Sequence, residues 1–144
     1  MKYLLLVSHG NYSTGLKQTL TMFAGKKIME SIIAVGLEPD ESATSLGKRF
    51  SETLNALPAD AQFAILADII GGSPLTTVYN ALSDANRADG VLILGGMNFP
   101  MALSVALAKD SLGNDELKEK AKAEAIAAIK EFQTNIPDTV DEDI

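Results

Sequence analysis

His9 is the only histidine of this 144-residue chain, and it stands where an apolar run, Tyr3-Leu4-Leu5-Leu6-Val7, breaks into Ser8-His9-Gly10. A second break of the same kind follows later. The stretch Phe63 to Ala67 ends in Asp68, and Asp68-Ile69-Ile70-Gly71-Gly72-Ser73-Pro74 runs into a helical pattern. Buried parallel strands read as continuous apolar runs, and open α/β sheets bind ligands beyond the carboxyl ends of their strands. If the two strands are neighbours, an imidazole, a carboxylate and a helix start share one crevice.

Those residue types suit phosphoryl transfer. A neutral imidazole is a competent nucleophile near pH 7, because an ordinary histidine pKa of about 6.5 leaves most of it uncharged. Asp68 could accept a hydrogen bond from one ring nitrogen, fixing the tautomer and stabilising the positive charge that develops as the ring takes a phosphoryl group. Gly71 and Gly72 let the backbone approach, and the amides and hydroxyl at Ser73 could hold phosphoryl oxygens at a helix N-terminus. Each residue also has a plainer use: His9 as an ordinary strand-end side chain, Asp68 as a turn cap, Gly-Gly-Ser-Pro as a loop-to-helix junction. Their joint placement at successive strand ends favours the chemical reading.

Other chemistries are poorly supplied. A serine hydrolase built on Ser73 would want Gly-x-Ser-x-Gly and an amide after the nucleophile, but Pro74 has none and Leu75 stands at the second glycine position. No Gly-x-x-x-x-Gly-Lys-Ser/Thr motif occurs. One histidine and no cysteine leave little for a metal site, so neither metal nor cofactor is expected. A net charge of -7 without a basic stripe argues against nucleic acid.

The elements that must position these residues alternate. With 47% hydrophobic residues over 144 positions, one folded domain is expected, over residues 1–133, followed by an acidic tail over 134–144. Strands are expected at Tyr3–Val7, Ser31–Val35, Phe63–Ala67 and Val91–Leu94. Ser13 is expected to cap a first helix with Leu16, Leu20 and Phe23 inward, and Asp40 a second carrying Ala43, Leu46, Phe50, Leu54 and Leu57 before Pro58. Ser73 would cap a third, with Pro74 at its first turn and Leu75, Val78, Tyr79 and Leu82 buried. A fourth starts near Pro100. A last helix from about Asp115 to Phe132 would bury Leu117, Ala121, Ala125, Ala128, Ile129 and Phe132. Repeated βα units with right-handed crossovers predict an α/β fold: a single three-layer domain with a mostly parallel open sheet and helices on both faces. Sheet order does not follow from the pattern. No apolar run reaches the roughly 20 residues of a membrane span, and no signal peptide is recognisable, so a cytoplasmic protein is expected.

Val7-Ser8-His9-Gly10, Asp68 followed by Gly71-Gly72-Ser73-Pro74, and Gly96-Met97-Asn98-Phe99-Pro100-Met101, in that order over nearly the whole chain, resemble the enzyme IIA domain of the mannose family of the bacterial phosphoenolpyruvate-dependent sugar phosphotransferase system. The resemblance implies that His9 takes a phosphoryl group from the histidine-containing phosphocarrier protein and passes it to the enzyme IIB component, serving the membrane IIC and IID components indirectly. It also implies that Asp68 orients His9, that Ser73 lies beside the phosphoryl group, that the first and third strands are adjacent, and that the protein is a homodimer. The chain stops after its acidic tail, so a free-standing IIA protein with IIB on another chain is expected. Asn98 is given no catalytic role. The competing class is a non-enzymatic anion-binding or scaffolding module in which His9 is a ligand contact.

Overall fold

The structure, a computed structural model, describes residues 1–135. Ten elements alternate along the chain: β1 (Lys2–His9), α1 (Tyr12–Leu20), α2 (Lys26–Met29), β2 (Ile32–Leu37), α3 (Ala43–Asn55), β3 (Gln62–Ala67), α4 (Ser73–Asp84), β4 (Leu92–Leu94), α5 (Phe99–Ala108) and α6 (Asn114–Ala127). The strands form one all-parallel sheet in the order β2-β1-β3-β4. The apolar run of β1 is continuous because both its faces are covered. Leu4 and Leu6 point to one side and pack with Leu16, Leu20, Val105 and Leu117, under α1, α5 and α6. Leu5 and Val7 point to the other and pack with Phe50, Leu54, Phe63, Val78 and Leu82, under α3 and α4. Successive strand side chains face opposite ways, so one run supplies two cores. The expected three-layer α/β domain is the one observed.

The helix starts differ from the sequence expectation in an instructive way. Ser13 does not cap α1; Asn11 holds that position, and Ser13 is buried at the second helical residue, donating its hydroxyl to the Val35 carbonyl at 3.1 Å. Asp40 sits in the left-handed region at φ 64°, and the cap of α3 is Ser42, whose hydroxyl accepts from the Ser45 amide at 3.1 Å. Gly72, not Ser73, is the N-cap of α4. The residues after a strand first have to complete the turn, and which polar residue reaches the cap depends on the turn's path.

Packing also overrode several apolar positions. Phe23 lies beyond the end of α1 and is partly exposed, its ring 4.9 Å from that of Phe99. Tyr79 is on the outer side of α4. The last helix ends at Ala127, so Ala128, Ile129 and Phe132 are exposed and not buried as expected. The short helix α2, with no buried residue, has no apolar periodicity that would announce it. The acidic tail expected from residue 134 lies, from residue 136 onward, outside the described residues. Among the described residues no helix is long and apolar enough to cross a membrane.

Candidate functional site

The strand order decides the site. β1 pairs with β3 over Lys2↔Gln62 to Val7↔Ala67, so the residues that follow Val7 and Ala67 emerge side by side at one edge of the sheet. His9 closes β1 and Asp68 directly follows β3, its amide continuing the ladder to the Val7 carbonyl at 3.0 Å. Asp68 Oδ2 then accepts twice from one residue: from the His9 backbone N–H at 2.9 Å, and from His9 Nδ1 at 2.9 Å. The other oxygen, Oδ1, accepts from the Ile69 amide at 2.8 Å. The carboxylate side chain is 19% exposed and the imidazole 49% exposed.

The hydrogen bonds set the electrostatics. Partial burial of Asp68 pushes its carboxyl upward, but the donors outweigh it: the His9 amide, the His9 ring and the Ile69 amide together hold the group below its ordinary value. It is therefore a carboxylate at neutral pH, an acceptor only, and the bonded Nδ1 must carry the proton. The second ring nitrogen, Nε2, is left with its lone pair, on a side chain that is half-exposed. Neighbouring loops steady this arrangement. The Asp68 carbonyl accepts from the Gly96 amide at 3.1 Å, and the Tyr12 hydroxyl donates to the Met97 carbonyl at 2.7 Å. The turns after β1, β3 and β4 are thereby tied to one another around the imidazole.

The Gly71-Gly72-Ser73 segment lies in the same place. Gly71 has φ +90°, a left-handed conformation that a side chain would strain, and it turns the chain from Asp68 into α4. Gly72 is so close to the imidazole that a Cβ built on it would lie 2.9 Å from His9 Cε1. Ser73 is exposed at the first helical position, and Pro74 follows. The first intrahelical bond of α4 runs from the Thr76 amide to the Gly72 carbonyl, so the amides of Ser73 and Leu75 precede it, while Pro74 has none to offer. The end of α4 facing His9 thus presents two backbone donors and a hydroxyl. The roles of Tyr12 and Gly96 in tying the turns were missed at the level of sequence, since neither a phenol at a helix start nor a glycine in a turn carries a signal of such a partner. Asn98 is structural: its Oδ1 accepts from the Met101 amide at 3.0 Å, capping α5, and its Nδ2 donates to the Ala125 carbonyl at 3.1 Å.

Around the crevice Ile69 and Ile70 are exposed apolar side chains. Among the described residues no group of three or more histidine, cysteine, aspartate or glutamate side chains could hold a metal ion.

Comparison with known proteins adds a family. Residues 3–122 match the family model EIIA-man, described as PTS system fructose IIA component. A protein of Bacillus subtilis (strain 168) named PTS system fructose-specific EIIA component is 25% identical over 119 residues, covering 83% of this chain and 78% of that protein. The crystal structure of the phosphotransferase system component EIIA from Streptococcus agalactiae superposes with a TM-score of 0.73 at 22% identity, over 91% of this chain and 97% of that one. The PTS IIA protein associated with the fucose utilization operon from Streptococcus pneumoniae superposes with a TM-score of 0.68 at 28% identity, over 85% of this chain and 89% of that one.

Proposed function

Since this chain belongs to the EIIA-man family of PTS system fructose IIA components, we propose that His9 is its phosphoryl carrier, charged by the histidine-containing phosphocarrier protein and discharged to the enzyme IIB component. One observation carries the reading: a half-exposed imidazole whose Nδ1 is bound to the Asp68 carboxylate at 2.9 Å. With Nδ1 protonated, the Nε2 lone pair attacks the phosphorus of the donor phosphohistidine. A new P–N bond forms at His9 as the donor's P–N bond breaks, and the donor ring keeps that electron pair. The His9 ring, now substituted at one nitrogen and protonated at the other, is cationic and rests against the Asp68 carboxylate. Discharge to enzyme IIB reverses these changes.

The phosphoryl oxygens come to lie at the start of α4, where the Ser73 and Leu75 amides and the Ser73 hydroxyl are placed to meet them, with Gly71 and Gly72 keeping the approach free of side chains. No lysine or arginine takes part in this account; backbone dipoles and the partner's own groups suffice for a group that must be passed on and not trapped. An exposed imidazole with apolar Ile69 and Ile70 beside it suits brief docking of two partners in turn. The reading includes a homodimer, supported by the exposed apolar residues Ile126, Ile129 and Phe132 at and beyond the end of α6; a solution mass of one chain would remove that part.

The test is intact-protein mass after incubation with phosphoenolpyruvate, enzyme I and the phosphocarrier protein. One acid-labile phosphate per chain is expected, absent from His9→Ala. A His9→Ala protein that still gains the phosphate overturns the assignment. An unchanged wild-type mass, with phosphate bound only reversibly, would instead favour an anion-binding module.

A further inference from the structure

We infer that Gly72 is a positioning residue for His9: the missing side chain at the cap of α4 leaves the slot in which the imidazole is held at its working angle. The inference rests on His9 being the phosphoryl carrier, and it concerns what sets the ring's orientation.

Gly72 has φ -81° and ψ 158°, an extended conformation that any residue adopts. Nothing in the backbone requires glycine there. Nor does capping, because serine, asparagine and aspartate are better N-caps than glycine, and α4 has no side-chain cap at all. The requirement comes from a neighbour. A Cβ on Gly72 would lie 2.9 Å from His9 Cε1 on one side and 3.3 Å from both Ile69 Cγ1 and Cδ1 on the other. Ile69 is exposed and has room to give. The imidazole, though half-exposed, can give only by straining the bond from its Nδ1 to Asp68, whose two oxygens are already committed to backbone amides.

Ordinary contact begins near 3.4 Å, so the ring would have to retreat by about half an ångström, roughly the tolerance within which a working site must be held. Cε1 is bonded to both ring nitrogens. Moving it carries Nδ1 away from the carboxylate and Nε2 away from the line of attack together. The chain thus forgoes a helix cap at this position and keeps a bare backbone beside the Cε1 edge of the imidazole.

The test uses two variants of the full chain, Gly72→Ala and Gly72→Ser, with Gly15→Ala, on the open side of α1, as the control. Both Gly72 variants add the same Cβ, and only serine adds a cap. Expected are cooperative unfolding for both, with Gly72→Ser the more stable; imidazole nitrogen resonances of unphosphorylated His9 displaced from wild type in both; and phosphoryl uptake from the phosphocarrier protein slowed on the order of 10- to 100-fold in both. Gly15→Ala should match wild type in the last two readouts. Wild-type resonances in both Gly72 variants overturn the inference, whatever the transfer rate, because slow transfer past an undisturbed ring would come from the phosphoryl contacts instead. So does slow transfer in Gly72→Ser alone, or failure of both to fold. The resonances are read without phosphate, so a wild-type protein that takes up none refutes the carrier role and leaves this test standing.

Discussion

Replacing Asp68 by asparagine probes the pair on which transfer depends while keeping the side chain's shape. The carboxylate accepts three hydrogen bonds, two at Oδ2 from His9 and one at Oδ1 from the Ile69 amide, all between 2.8 and 2.9 Å. Asparagine has one acceptor oxygen. Turned toward His9, its NH2 opposes the Ile69 amide; turned toward Ile69, it opposes both His9 donors. The larger effect is on charge. As the ring takes the phosphoryl group it becomes cationic, and a hydrogen bond between charged partners contributes about 1.5–3 kcal/mol against about 0.5–1.5 for neutral ones. The asparagine variant therefore loses about 1–2 kcal/mol of transition-state stabilisation, a slowing of roughly 5- to 30-fold. Because the imidazole is 49% exposed, solvent keeps the value well below that of a dry interior pair. The assay is single-turnover phosphoryl uptake from the phosphorylated carrier protein by rapid quench and intact mass, at saturating donor. A variant that is folded and takes up phosphate at the wild-type rate would refute the reasoning, and Asp68 would then be a turn residue only.

Two further outcomes follow from other parts of the fold. Glu41 accepts from the Arg49 guanidinium, the Glu38 amide and the Ser45 hydroxyl, and the Arg49 bonds foremost pull its pKa from 4.5 down to about 2. A depressed carboxyl stabilises the fold above its unfolded pKa and stops doing so as pH falls through the folded one. Glu41→Gln should accordingly be less stable than wild type at pH 7, with the difference closing between pH 4.5 and about 2; chemical denaturation across that range checks it, and a pH-independent difference would contradict it. Gly36→Ala acts on the turn that carries His9: a Cβ on Gly36 would overlap the carbonyl oxygen of Gly10, a backbone atom that cannot rotate aside. A destabilisation of about 1–3 kcal/mol is expected from the same denaturation measurement, and unchanged stability would show that the turn yields.

The sequence carried its local physics openly. Leu4 to Val7 and Phe63 to Ala67 are apolar without alternation because both faces of a central parallel strand are covered, and each run gives way to polar residues at the strand's carboxyl end. That is why His9 and Asp68 were recognisable as strand-end residues, and why the α/β class could be read before any coordinates. Elements whose reason lies elsewhere in the molecule were less legible. Asp40 and Ser73 have the right chemistry for helix caps, yet Ser42 and Gly72 hold those places. Ile129 and Phe132 continue the spacing of the last helix but are exposed, covering no surface among the described residues.

By itself, then, the chain determined which residues end the strands and which chemistry they have, because burial pattern and turn chemistry act over a few neighbouring positions. Tertiary structure alone decided that β3 pairs with β1, bringing Asp68 Oδ2 within 2.9 Å of a ring 59 positions away, and that Gly72 comes to lie against the same ring. Pairing order and side-chain approach depend on how helices pack across both faces of the sheet, a sum over distant contacts that no short stretch of residues records.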